Sequence, residues 1–186
     1  MLIRPLALVA LASLSMLPSV AQAALAVGAK APDFNTRGAL AGKVMPVKLS
    51  DTLKKGPVVL YFFPAAFTKG CSAEAREFAE NIDAFKKAGA TVIGMSADPV
   101  DKLAKFSTAD CASKFTVASA GPSIVKGYDV AMPPMPSMPD MPAGMTNRTS
   151  YVIAPTGRIA YVHSEMSYAN HVKGTLAAVQ ALGAGK

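Results

Sequence analysis

Apolar residues fall in two kinds of run along the middle of the chain. Residues 57–63 (PVVLYFF) are apolar without a break, the mark of a strand covered on both faces. Over residues 71–89 the apolar positions Phe78, Ile82 and Phe85 fall at i, i+4 and i+7 and share one face of a helix. Glu74, Glu77 and Glu80 lie early in that helix, Lys86 and Lys87 late, and Gly89 closes it. That order suits the helix dipole and a left-handed C-terminal residue. Residues 90–97 (ATVIGMSA) predict a second buried strand. Asp98-Pro99 then supplies a capping side chain and a proline for the first helical position. The helix it opens is expected to run to about Ser113, with Cys111 near its end. Residues 115–119 predict a third, shorter strand. Residues 149–154 and 158–163 flank Pro155-Thr156-Gly157 as a hairpin, and Val172, Leu176 and Val179 mark a last amphipathic helix.

The order β-α-β-α-β, then hairpin and helix, predicts an α/β domain. Its central mixed sheet is parallel where strands alternate with helices, antiparallel at the hairpin, and flanked by helices. The layout is similar to the thioredoxin-like fold. The sequence holds no C-x-x-C, which argues against a thioredoxin-type dithiol oxidoreductase.

Ahead of this domain the pattern differs. Arg4 precedes an apolar run from Pro5 to Leu17, and Ala21-Gln22-Ala23 follows. A basic start, a short apolar core and an A-x-A site are expected of a secretory signal peptide, residues 1–23. The run is shorter than the roughly 20 apolar residues that span a bilayer. Residues 24–186 are then expected to form one domain, not held in a membrane after cleavage and exported, to the periplasm if the source is bacterial. Charge adds little: 19 Lys and Arg against 12 Asp and Glu give a formal net charge of +7. The basic residues are scattered, so no nucleic-acid partner is expected. Export matters more for the two cysteines, Cys71 and Cys111. In an oxidising compartment two cysteines ordinarily pair, and a loop of this length would contribute roughly 3–4.5 kcal/mol on the chain-entropy model. A structural disulfide and a reactive thiol both stand open on this count.

The stretch FFPAAFTKGCSAEAREF, residues 62–78, carries the sharper signal. Pro64-x-x-x-Thr68-x-x-Cys71 resembles the active-site signature of the peroxiredoxins. VGAKAPDF (27–34) is similar to the family's entry segment, Glu74 sits three residues after the cysteine as in the family, and RTSYVIAPTGRI (148–159) resembles the strand that carries its active-site arginine. The resemblance implies a thioredoxin-like fold with peroxiredoxin-type elaborations and a thiol peroxidase that needs no prosthetic group or cofactor. The chemistry is coherent on its own terms. Attack on an O–O bond requires a thiolate, and the first turn of a helix aims backbone N–H groups and the positive dipole end at the sulfur. Glu74 and Glu77 oppose that, so a cation is needed nearby. By resemblance Arg148 supplies it, Thr68 hydrogen-bonds the peroxide through its hydroxyl, and Pro64 shields Cys71 from water. Taken singly, Pro64 could merely end a strand, Thr68 cap a helix, and Arg148 lie on the surface.

The sequence departs from the pattern twice. The bacterioferritin-comigratory, or peroxiredoxin Q-like, branch often places a second cysteine five residues after the first, and here that residue is Arg76. Cys111, on the next helix, is then the candidate resolving thiol. The implied cycle forms a Cys71–Cys111 disulfide within one subunit, reduced by an outside thioredoxin-like dithiol. Such a cycle is compatible with a monomer or weak dimer. In the alternative, Cys111 is a small buried hydrophobe and another thiol resolves Cys71. The second departure is AMPPMPSMPDMPAGM, residues 131–145, where Met132, Met135, Met138 and Met141 recur every third residue among prolines. A polyproline II helix has three residues per turn, so the four thioethers would share one face suited to Cu(I). A copper-handling protein with a structural disulfide is therefore the rival expectation, against a plain loop packed on the site's rim. His163 and His171 lack ligand spacing and are expected to be surface or structural. The sequon at Asn147 is read as chance.

Overall fold

The computed structural model describes residues 24–134, 142 and 144–184. The expected signal peptide and Met135, Met138 and Met141 lie outside the described residues. Seven strands form one sheet in the order β2-β1-β5-β4-β3-β6-β7. β3 (Val58–Phe62), β4 (Thr91–Ser96) and β5 (Thr116–Ser119) run parallel. β6 (Thr149–Ile153) and β7 (Ile159–Ser164) extend the sheet antiparallel on one side, and β1 (Asn35–Leu40) and β2 (Lys43–Lys48) on the other. This is the predicted α/β architecture, a central mixed sheet flanked by helices. Among the described residues, no helix is long and apolar enough to cross a membrane.

The sheet separates two apolar layers, and β3 feeds both. Val59 and Tyr61, with Phe63 just past the strand, face one side. There they meet Phe78, Ile82 and Phe85 of α2 (Lys69–Lys87), Leu103 and Phe106 of α3 (Val100–Ala109), and Val172 and Val179 of α5 (His171–Ala184). Val58, Leu60 and Phe62 face the other side, against Leu49 of α1 (Leu49–Leu53) and Ile124 and Val125 of α4 (Pro122–Gly127). A strand whose alternate residues serve two cores has no polar face to show, hence its unbroken apolar run.

The β1–β2 hairpin and the short helices α1 and α4 escape the hydrophobic pattern. β1 and β2 expose much of their length, and Pro46 interrupts a strand that lies at the sheet edge, where proline is tolerated. The turn is set by Ala41 and Gly42, both at positive φ (50° and 79°), as a tight two-residue hairpin loop demands. Gly38 lets β1 approach β5: a Cβ there would stand 2.7 Å from the Val117 carbonyl oxygen.

Two boundary expectations need correction. Pro99, not Asp98, is the N-terminal flanking residue of α3, and no side chain caps that end. The helix also stops at Ala109, with Asp110 closing it, so Cys111 lies in the turn that follows rather than on the helix. Ala112 and Ser113 at φ 48° and 59° cannot continue a right-handed helix.

Candidate active site

α2 follows β3 through the connection formed by residues 63–68. Pro64, half-buried, follows the strand directly. The connection is pinned from beneath. Asp98 accepts hydrogen bonds from the Ala66 N–H at 2.7 Å and Ser96 Oγ at 2.8 Å, and pairs with Lys102 Nζ at 2.7 Å. The acid read as a helix cap is therefore a tether for the loop ahead of Cys71. Phe67 adopts φ 68°, unusual for a bulky residue, with its ring edge-on to Phe106 at 5.3 Å. Thr68 is the N-terminal flanking residue of α2, but its side chain makes no capping hydrogen bond. Its hydroxyl instead donates to the Ala65 carbonyl at 2.9 Å and remains exposed. Plain helix capping is thus not what the side chain does.

Cys71 sits in the first turn of α2 and is 2% exposed. Arg148, one residue before β6, reaches it from the strand next to β3, with Nη2 3.5 Å from Sγ. The guanidinium is buried and each of its nitrogens has a partner: Nε donates to the Met166 carbonyl at 3.0 Å and Nη1 donates to Glu74 Oε2. Gly70 gives it room, since a Cβ there would lie 3.3 Å from Nη2. The backbone that carries Arg148 is held on both sides. Thr146 Oγ1 donates to the Phe63 carbonyl at 2.7 Å, the Asn147 N–H to the Val130 carbonyl at 2.8 Å, and Thr149 Oγ1 to Asn147 Oδ1 at 2.7 Å. Asn147 is buried in this arrangement, consistent with a chance sequon.

Glu74 differs from its sequence reading as a plain opposing charge. It is fully buried one helical turn below Cys71, with one oxygen on Arg148 and the other without a hydrogen-bond partner, 3.7 Å from His171 Nδ1. Burial pushes its carboxyl up to about 8 even against the pull of Arg148. His171 is also buried, its Nδ1 2.8 Å from Ser150 Oγ and its Nε2 3.1 Å from the Glu165 carbonyl. Burial brings its imidazole down to about 4, so it is neutral near pH 7. The signal for Glu74 was present: it is i+3 from Cys71 and i−4 from Phe78, inside the buried stripe of α2.

Cys111 occupies the same apolar cluster as Cys71, with Phe63, Phe106 and Phe115. It is 0% exposed, and both cysteines are free thiols. Burial, and secondarily the charge of Asp110, push the Cys111 thiol far above its ordinary range. Met132 is half-buried beside the bridge between Ala131 and Thr146, and its N–H donates to the Met145 carbonyl at 2.8 Å.

The family model described as the AhpC/TSA family matches residues 27–162. The chain belongs to this family. It falls with the Bcp and peroxiredoxin Q branch. A putative peroxiredoxin of Mycobacterium tuberculosis is 49% identical over 61 residues, 33% of this chain and 40% of that protein. The aligned stretch thus spans about two-fifths of that relative's length. The chloroplastic peroxiredoxin Q of Oryza sativa subsp. japonica is 30% identical over 156 residues, 83% of this chain and 67% of that one. The solved structure of peroxidoxin BcpB from Mycobacterium tuberculosis superposes with a TM-score of 0.73 at 30% identity, covering 83% of this chain and 96% of that one. In this member of the family, the start of α2 and the segment just before β6 bring Cys71 and Arg148 into contact, Pro64 and Thr68 lie in the connection that leads into α2, and Cys111 belongs to the same apolar cluster as Cys71.

Proposed function

We propose that this peroxiredoxin-family chain is an exported thiol peroxidase that reduces hydrogen peroxide or organic hydroperoxides. The single observation that carries the reading is Arg148 Nη2 at 3.5 Å from Cys71 Sγ, in the first turn of a buried helix start. A guanidinium there has donors for both the sulfur and a peroxide oxygen. Cys71 thiolate attacks one oxygen of the peroxide, the O–O bond breaks, and the leaving oxygen takes a proton, giving sulfenic acid and water or an alcohol. Negative charge moves from sulfur to the leaving oxygen, and Arg148 and the helix N–H groups stabilise it along the way. Thr68 orients the peroxide through its hydroxyl, and Pro64 keeps water from the sulfur. Cys111 then condenses with the sulfenic acid, forming a Cys71–Cys111 disulfide and releasing water. An outside dithiol of the thioredoxin type restores both thiols by exchange. Residues 1–23 act as the secretory signal, and the mature domain, residues 24–186, works in the periplasm of a bacterial source.

The test is a mass measurement on the reduced mature chain after one equivalent of hydrogen peroxide, followed by a peptide map. Loss of two hydrogens with a Cys71–Cys111 cross-link is the expected result. Oxidised Cys71 beside an intact Cys111 would remove the resolving role and keep the peroxidase. Survival of both thiols would overturn the function.

A further inference from the structure

Asp110 centres a polar cluster that none of these steps uses. The residue is buried, 4% exposed, and it precedes Cys111 in the chain. Oδ2 accepts a hydrogen bond from Ser72 Oγ at 2.9 Å, and Oδ1 accepts one from Arg76 Nη2. Ser72 is the neighbour of Cys71, and Arg76 lies one turn further along α2. On the other side of Cys111, Lys114 Nζ donates to the Ala79 carbonyl at 3.0 Å. The turn that holds Cys111 is therefore fastened to α2 at both of its ends.

We propose that Asp110, with Ser72 and Arg76, forms a latch that holds the Cys111 turn shut against α2. Its opening sets how fast Cys111 reaches oxidised Cys71, and so how the protein divides between disulfide and over-oxidation. This rests on the resolving role given to Cys111 above. The two fates of the sulfenic acid compete. Condensation with the Cys111 thiol yields disulfide and water; attack on a second hydroperoxide yields sulfinic acid and water or an alcohol.

Three observations support a gate at this place. Cys111 has no exposed surface and lies inside the apolar cluster that also holds Phe63, Phe106 and Phe115, so it can meet an outside thiol only when its turn opens. Thiol exchange runs through a thiolate, and burial beside Asp110 keeps Cys111 protonated while the turn is shut. The turn itself holds Ala112 and Ser113 in the left-handed region, where neither has glycine's freedom. Local opening relaxes that strain, and the polar clamp opposes it together with the apolar burial of Cys111. Asp110, Ser72 and Arg76 are thus positioning residues: none touches the reacting sulfur through its side chain, and each acts through the turn.

The latch is tested on the reduced mature chain and on Ser72→Ala, Arg76→Met, Arg76→Lys and Cys111→Ser variants. Each is exposed to graded hydrogen peroxide, quenched by alkylation, and mapped for the ratio of Cys71–Cys111 disulfide to Cys71 sulfinic acid. Ser72→Ala and Arg76→Met are each expected to raise that ratio about fivefold, the factor that one net hydrogen bond represents. Arg76→Lys, which keeps a cation within reach of Asp110, is expected to stay within about twofold of the wild type. Amide exchange across residues 110–114 should quicken by the same factor in the first two variants, a change that an altered sulfur reactivity would not produce. Wild-type ratios in both latch variants, or a shift toward sulfinic acid, overturn the latch while a cross-link in the wild type leaves the resolving role standing. A wild type that forms no cross-link, with products identical to those of Cys111→Ser, removes the resolving role and the latch with it.

Discussion

Cys71 and Cys111 share one apolar cluster and are almost equally hidden, yet their surroundings are built for opposite chemistry. Cys71 stands at the positive end of a 19-residue helix with a guanidinium 3.5 Å from its sulfur. Cys111 stands past the end of α3, beside the Asp110 carboxylate, where burial keeps its thiol protonated. Apolar packing alone therefore does not decide what a cysteine does in this fold. What differs between the two is the charge beside each, a guanidinium at Cys71 and a carboxylate at Cys111, and each charge is delivered by a different element.

The contrast breaks most visibly if the cation is removed. Arg148→Gln is expected to slow oxidation of Cys71 by hydrogen peroxide by about 10²–10³, the usual effect of losing one preorganised donor to developing negative charge. Stopped-flow mixing, or competition with a second thiol, reads the rate. Arg148→Lys should recover little of it, because one ammonium cannot meet Cys71, Glu74 and the Met166 carbonyl together. A loss below tenfold in Arg148→Gln would show that the guanidinium serves Glu74 and not the sulfur.

Alkylation sharpens the same comparison without mutation. In the folded, reduced protein iodoacetamide should label Cys71 faster than Cys111 by at least about a hundredfold, since the thiolate is the reactive form and Cys111 is held as a thiol. In denaturant the two should label at similar rates. Equal rates in the folded state would mean that the Cys111 turn opens freely.

Much of this difference was legible in the order of residues, and the illegible part has a common cause. Helix periodicity placed Cys71 at the start of α2, and the motif together with Arg148 identified the contact that the sheet then makes. β3 was legible because both of its faces are buried; the β1–β2 hairpin was not, because an exposed edge with Pro46 and Gly38 carries no alternation to read. Glu74 was misjudged as an opposing charge because charge was weighed ahead of position, although its place in the buried stripe of α2 was readable. Asp98 looked like a cap because Asp-Pro is a good helix start; only the folded loop shows the Ala66 N–H claiming its carboxylate. The bonds from Ser72 and Arg76 to Asp110 span 38 and 34 residues, and they exist only because the end of α3 packs beside α2. Long-range polar pairs leave no local pattern.

The smallest of these effects concerns the far end of the line of contacts that runs from Cys71 through Arg148 and Glu74, where His171 faces Glu74, His163, Ser150 and, more remotely, Arg148. Burial lowers the imidazole from 6.5 to about 4, so between those values the unfolded chain holds a proton that the folded chain does not. Its contribution to stability is then fully present above about pH 6.5 and is lost as pH falls toward 4. Glu74 has the opposite sign. Burial raises it from 4.5 to about 8 despite Arg148, so its contribution is present below about pH 4.5 and is lost as pH rises toward 8. In the wild type the two slopes offset each other between about pH 4.5 and 6.5, and stability falls from there toward pH 8. His171→Asn removes one of them. Its stability deficit relative to the wild type should shrink as pH falls from 6.5 to 4, by at most about 3 kcal/mol, the linkage value of a shift this size. Urea unfolding at pH 4.5, 5.5, 6.5 and 7.5 (roughly one-unit steps across the shifted range) measures the deficit. A deficit that stays constant with pH would mean that His171 carries the same proton folded and unfolded, and that the line from Cys71 ends electrically at Glu74.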